Sequence, residues 1–257
     1  MRKAWDAEFA NLIMNCNSYD EKSKWVRSHC RKRMCQRENI VIPAGVTSIP
    51  PYFFEDFYSL EQVEIPPSVT IIGDRAFYKC KSLAFVTIPS SVTIIGDETF
   101  WGCKSLAIVT IPSSVTIIGD RAFWGCKSLA SVTIPSSVTI IGDRAFWGCE
   151  SLESVEIPSS VTSIGDETFW GCKSLMSVSI PSSVRIGKDA FKNCSRDIKI
   201  IRRLNQTATT DKTSSQSSKK GVFGGLFGKR RGGPRLLLNR KKALPDHANG
   251  PAKTFFL

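Results

Sequence analysis

Seven prolines, Pro43, Pro66, Pro89, Pro112, Pro135, Pro158 and Pro181, follow one another at intervals of 23 residues. The same apolar positions return around each of them. One copy carries Leu83, Val86, Ile88, Val92, Ile95, Phe100 and Cys103, and the next carries Leu106, Val109, Ile111, Val115, Ile118, Phe123 and Cys126. A unit this short cannot bury its own apolar stripe, so the chain has to stack copies of the unit on one another. That requirement excludes most globular architectures before any other property is considered.

Within one unit, LxxVxIP (Leu129, Val132, Ile134, Pro135) alternates inward and outward positions and is rich in Val, Ile and Thr, the pattern of a strand ended by proline. The following VTIIG supplies a second short extended piece, with Gly119 at a turn. The segment GDRAFWGC predicts a short helix or 3₁₀ turn, capped by Asp120, with Phe123 and Cys126 on its inner side. Stacked strands form a parallel sheet at roughly 4.8 Å spacing, so about seven units give a slab on the order of 30–35 Å long. Stacking also aligns equivalent residues into columns. A phenylalanine column runs from Phe54 to Phe191 and a cysteine column from Cys80 to Cys194, and both are expected in the core.

The pattern LxxVxIPxxVxxIGxxAFxxC, repeated in tandem over about residues 40–195, resembles the BspA-type, or Treponema pallidum-type, leucine-rich repeats. The resemblance implies an α/β right-handed solenoid with a concave parallel sheet and short helical or 3₁₀ turns outside, and a role in adhesion or protein binding.

The ends of the array are atypical. Pro50 replaces the turn glycine in the first unit, and Val184 to Gly187 is one residue shorter than Val161 to Gly165. Residues 1–39 show helix-like spacing at Trp5, Phe9, Leu12 and Ile13 and are expected to form a helical cap or extension. Residues 40–195 form the repeat domain. Residues 196–257, dominated by Ser, Thr, Gly, Lys and Arg, are expected to be a disordered tail. Charge divides the same way: net +4 in residues 1–39, −4 in 40–195 and +12 in 196–257. Lys219, Lys220, Lys229, Arg230, Arg231, Arg240, Lys241 and Lys242 form three basic clusters, suited to nuclear import, to phosphates, or to an anionic membrane beside Phe223, Leu226 and Phe227. The plainer alternative is a solvated chain. Acidic and polar residues interrupt every apolar run at the N-terminus, and no run approaches membrane-spanning length, so a soluble cytoplasmic or nuclear protein is expected. On that expectation Asn193 and Asn205, which begin glycosylation sequons, stay unmodified.

Candidate chemistry falls into columns. Stacked thiols suggest a metal or redox wire, but the uniform apolar context and the absence of a repeating histidine favour reduced thiols packed as core. Cys30 and Cys35 near His29 lack a second ligand pair for zinc. Asp74, Asp97, Asp120, Asp143 and Asp166 admit calcium, yet each stands where a helix cap explains it. The following residues, Arg75, Glu98, Arg121, Arg144 and Glu167, predict ion pairs between units. Tyr78, Trp101, Trp124, Trp147 and Trp170 offer stacking to sugars or bases, and are expected instead to pack edge to edge and shield the phenylalanines.

The outward strand positions are Gln62 and Glu64, Phe85 and Thr87, Ile108 and Thr110, Ser131 and Thr133, Ser154 and Glu156, Ser177 and Ser179. Phe85 and Ile108 put large apolar groups where small polar residues dominate, either as a partner contact or as filling for the hollow of the curve. Only His29 and His247 are histidines, and no triad, phosphate loop, cofactor or small-molecule site can be assembled from the spacing. The leading expectation is therefore a non-catalytic scaffold for a protein partner. Nucleic-acid or anionic-membrane association through the tail is second, and a cell-surface adhesin is third.

Overall fold

In the computed structural model the described residues are Asn11, Ile13 and 36–204. The described strands are β1 (Asn39–Val41), β2 (Ser48–Ile49), β3 (Gln62–Glu64), β4 (Ile71–Ile72), β5 (Phe85–Thr87), β6 (Ile94–Ile95), β7 (Ile108–Thr110), β8 (Ile117–Ile118), β9 (Ile140–Ile141), β10 (Ser154–Glu156), β11 (Ser163–Ile164), β12 (Ser177–Pro181), β13 (Arg185–Ile186) and β14 (Lys199–Arg203). Every pairing among them is parallel, and each joins residues 22 or 23 apart. The chain is thus a parallel-strand β-solenoid of about seven turns, most of them carrying two strands and one bend.

The LxxVxIP segments form one stack, β1-β3-β5-β7 and β10-β12-β14, and the intervening unit bridges to β10 at Ser131 and Ser154. The VTIIG strands form the other, β2-β4 and β13-β11-β9-β8-β6. Inside, Leu, Val, Ile, Phe and Cys positions of successive units merge into one continuous core. Phe54, Phe77, Phe100, Phe123, Phe146 and Phe169 are fully buried, and neighbouring rings lie face to face with centroids 5.1–5.5 Å apart. Ile13 is helical and fully buried in that same core. Trp5, Phe9 and Leu12 lie outside the described residues.

Two expectations are corrected. GDRAFWGC forms no helix but a series of tight turns, so the helical component of an α/β class is missing from the described repeats. The hydrogen bonds show why. Alternate amides bond locally, Ala76 to Gly73, Tyr78 to Arg75 and Cys80 to Phe77, while the amides between them donate to the next unit, Arg75 to Asp97, Phe77 to Thr99 and Lys79 to Trp101. A helix would consume every amide within the unit; here half of them tie one unit to the next. The alternation demands left-handed backbone at Glu98 (φ 54°) and Gly102 (φ 69°), and at the equivalent pairs in neighbouring units. The arginines and glutamates there each accept a cost of about 1 kcal/mol that glycine would avoid.

The second correction concerns the end of the array. β14 pairs with β12 from Lys199↔Ser177 to Arg203↔Pro181, so ordered solenoid continues past Arg196, where the structureless tail was expected to begin. The shortened last unit hides this continuation in the sequence: its periodicity breaks while the stacking does not.

Close stacking also explains the glycine of VTIIG. A Cβ on Gly142 would lie 2.4 Å from Asp120 Oδ1 and 2.7 Å from both Asp120 N and Gly119 C, whereas one on Gly45 would meet nothing within 4 Å. Gly142→Ala is therefore expected to lower the urea midpoint clearly and Gly45→Ala to leave it nearly unchanged. Equal midpoints for the two variants would contradict the close contact.

Candidate interaction face

The stacked side chains form ladders. Asp97 N–H donates to Asp74 Oδ1 at 3.0 Å, and Asp120, Asp143, Asp166 and Lys188 repeat the bond at 2.7–2.8 Å to the aspartate of the preceding unit. The aspartates therefore cap the next unit rather than a helix of their own. Among the described residues no group of three His, Cys, Asp or Glu is placed to hold a metal ion. Each thiol from Cys80 to Cys194 donates to a phenylalanine carbonyl one unit back, at 3.0–3.3 Å. Burial holds the thiols of Cys103, Cys126, Cys149 and Cys172 far above the ordinary range, and pushes Cys194, at the end of the column, up to about 11. These thiols stay protonated and unreactive at neutral pH.

On the outside of the turns Arg75 grips Glu98 through two bonds of 2.8 and 2.9 Å, and Arg144 grips Glu167 at 3.0 and 3.1 Å. The expected ion pairs between units are thus present, and the Arg144 bond holds the Glu167 carboxyl below its usual range. Lys127 and Lys173 converge on Glu150 and do the same there. Tyr78, Trp101, Trp124, Trp147 and Trp170 are half-buried and stack face to face with centroids 4.4–4.6 Å apart, not edge to edge as expected. A rise of one strand spacing per unit brings identical rings into face contact, leaving no room for a base or sugar ring between them.

The outward columns of the first stack stand as the alternation requires. Gln62, Glu64, Thr87, Thr110, Ser131, Thr133, Ser154 and Glu156 are exposed, and Ser177 and Ser179 are half-buried. Phe85 and Ile108 pair in register on adjacent strands and expose 43% and 64% of their surface. Val41, 62% exposed, is on the same face two strands before Phe85 and escaped sequence reading because the first unit departs from the consensus. Sequence reasoning also missed Ile71, Ile94 and Ile140, which stand exposed on the second stack. Their signal was present: the column reads Ser48, Ile71, Ile94, Ile117, Ile140, Ser163, but two consecutive isoleucines look like core until the register shows which one turns outward. The clusters Lys219–Lys220, Lys229–Arg231 and Arg240–Lys242, and His29, Cys30, Cys35 and His247, lie outside the described residues.

Two stacks of short parallel strands, a phenylalanine core and a tight bend in each 23-residue turn define a leucine-rich-repeat solenoid. The chain belongs to the BspA type leucine rich repeat family, whose model in six copies matches residues 24–126 and 95–218. Among solved structures it is similar to a leucine-rich-repeat protein of T. pallidum, with 32% identity, a TM-score of 0.60, and coverage of 64% of this chain and 79% of that one. It is also similar to a leucine-rich-repeat protein from Eubacterium ventriosum, with 28% identity and a TM-score of 0.57. That match covers 63% of this chain and 44% of the other. A comparison with curated proteins gives no match.

Proposed function

We propose that the chain is a non-catalytic, intracellular scaffold that captures a protein partner on the outward face of its first strand stack. One observation carries this reading. In an array whose buried positions barely change, the outward columns do change, and they set Phe85 and Ile108 side by side in register with roughly half their surface in water. Adjacent exposed apolar side chains ringed by Thr, Gln and Glu have the anatomy of a contact centre with a polar rim, which favours a partner contact over filling of the curve. The family relationship supports a repeat scaffold, and the ladders of aspartate, thiol and arginine–glutamate pairs are fully used in holding units together.

The test is affinity capture from lysate by the full chain and by the double variant Phe85→Ser/Ile108→Ser. Captured partners should bind the double variant at least about thirtyfold more weakly, since central apolar contacts are worth about 2 kcal/mol or more. Thermal stability should be unchanged. Partners that bind both proteins equally, and are lost steeply between about 50 and 200 mM salt, would assign binding to the basic tail instead.

A further inference from the structure

The two ends of the described solenoid differ. At the N-terminal end the first unit is sealed: Ile42, Val46, Ile49 and Phe54 are at most 1% exposed, with Ile13 in their core. At the C-terminal end the equivalent positions open to water. Ile186, Phe191 and Ile198 are only partly buried, Ile200 is 45% exposed although it continues the buried column of Val178, and Ile201 is 53% exposed. β14 is the last strand of its sheet among the described residues. Lys199 N–H donates back to Met176 and the Arg203 carbonyl accepts from Ser182, so by alternation the amides of Ile200 and Arg202 face away from β12, toward the open edge. Charge changes sign at the same place: residues 40–184 hold 8 Lys+Arg and 14 Asp+Glu, residues 185–203 hold 7 and 2.

We infer that the open edge of β14 is a second docking surface, which takes an extended acidic peptide as an added strand. Backbone amides of Ile200 and Arg202 supply the hydrogen bonds, and the side chains specify the sequence. Read along β14, Lys199, Ile200, Ile201 and Arg202 run basic, apolar, apolar, basic. The complement is acidic, apolar, apolar, acidic, which reads the same in both directions and so suits either strand orientation. A second copy of this chain is the poorer occupant, because antiparallel pairing of two β14 strands through their outward amides, centred on Ile201, sets Lys199 against Arg203 across the interface, and like charges directly opposed are unfavourable. Its surface is separate from the Phe85–Ile108 pair.

The experiment is fluorescence polarisation of the full chain with a labelled octapeptide, Gly-Thr-Glu-Val-Val-Glu-Thr-Gly. Three results are expected. The reordered peptide Gly-Thr-Val-Glu-Glu-Val-Thr-Gly, identical in charge, should bind at least about tenfold more weakly, as should the original peptide with its two valine amides N-methylated. Ile200→Pro, which removes an outward amide without touching the ladder to β12, should weaken binding by a similar factor. Phe85→Ser/Ile108→Ser should leave it unchanged, so failure here is distinguishable from failure of the first face. Equal binding of the reordered or the N-methylated peptide, neither of which depends on how a variant folds, would reduce the effect to charge attraction and overturn the inference. So would a dimer in sedimentation velocity that Ile200→Pro abolishes, since it would give the edge to a second copy.

Discussion

Phe123→Ala should lower the free energy of unfolding by about 3–5 kcal/mol, a third or more of what a domain of ordinary stability possesses. Phe123 is fully buried, with rings stacked on both sides at 5.3 Å (Phe100) and 5.2 Å (Phe146), nearly parallel to each. Removing it takes away the transfer free energy of one large side chain and leaves two neighbours facing a void. Position matters more here than in a globular core, because each unit touches only the units next to it. A gap in the middle weakens two interfaces at once, whereas Phe191→Ala, at the open end, removes one stacking contact from a ring that already meets water, and should cost less than half as much. Guanidinium unfolding followed by tryptophan fluorescence measures both; similar losses would mean that the stack is not the source of stability.

Raising the pH from 9 to 10 should cost about 5 kcal/mol of stability, an effect as large as the loss of a core ring. Burial keeps the thiols of Cys103, Cys126, Cys149 and Cys172 protonated in the folded state well above the usual range. In the unfolded chain they titrate near about 8.5. Below that value both states hold the same protons and the thiols contribute no pH dependence. Above it the unfolded state releases protons that the folded state keeps, so unfolding gains about 1.4 kcal/mol per pH unit from each thiol until the folded thiols titrate in turn. The sign is the one expected of groups whose folded pKa is raised: stability present at neutral pH is lost as pH increases. Cys126→Ala removes one of five raised thiols, Cys194 included, and should flatten the slope by about one fifth, whatever it does to stability at neutral pH. Urea midpoints at about pH 8, 9 and 10 decide the matter, and a midpoint that does not move across that range would place the thiols in water.

Tandem repetition makes the core legible in the chain itself, since Leu, Val, Ile, Phe and Cys at fixed intervals can be buried together only if the units pile up. The outward positions follow from alternation alone, which is why Phe85 and Ile108 stand out. Legibility fails where a residue's role is set by a neighbour 22 or 23 positions away. Asp120 looks like a helix cap in its own unit and instead accepts the Asp143 amide of the next. Val41 and Ile94 look buried until the register turns them outward. The ladder to Met176, Ile180 and Ser182 recruits Lys199 to Arg203 into the sheet although their composition, KIIRR, carries none of the repeat's signature.

Sequence by itself determined that the units stack, what lies between them and how far apart they stand, because apolar spacing and chain length leave no other way to remove that surface from water. Tertiary structure alone decided whether each bend became a helix or a ladder, and which end of the array was left open. Those outcomes depend on whether an amide finds its acceptor within its own unit or in the one above, a competition between bonds of nearly equal strength that only the finished stack resolves.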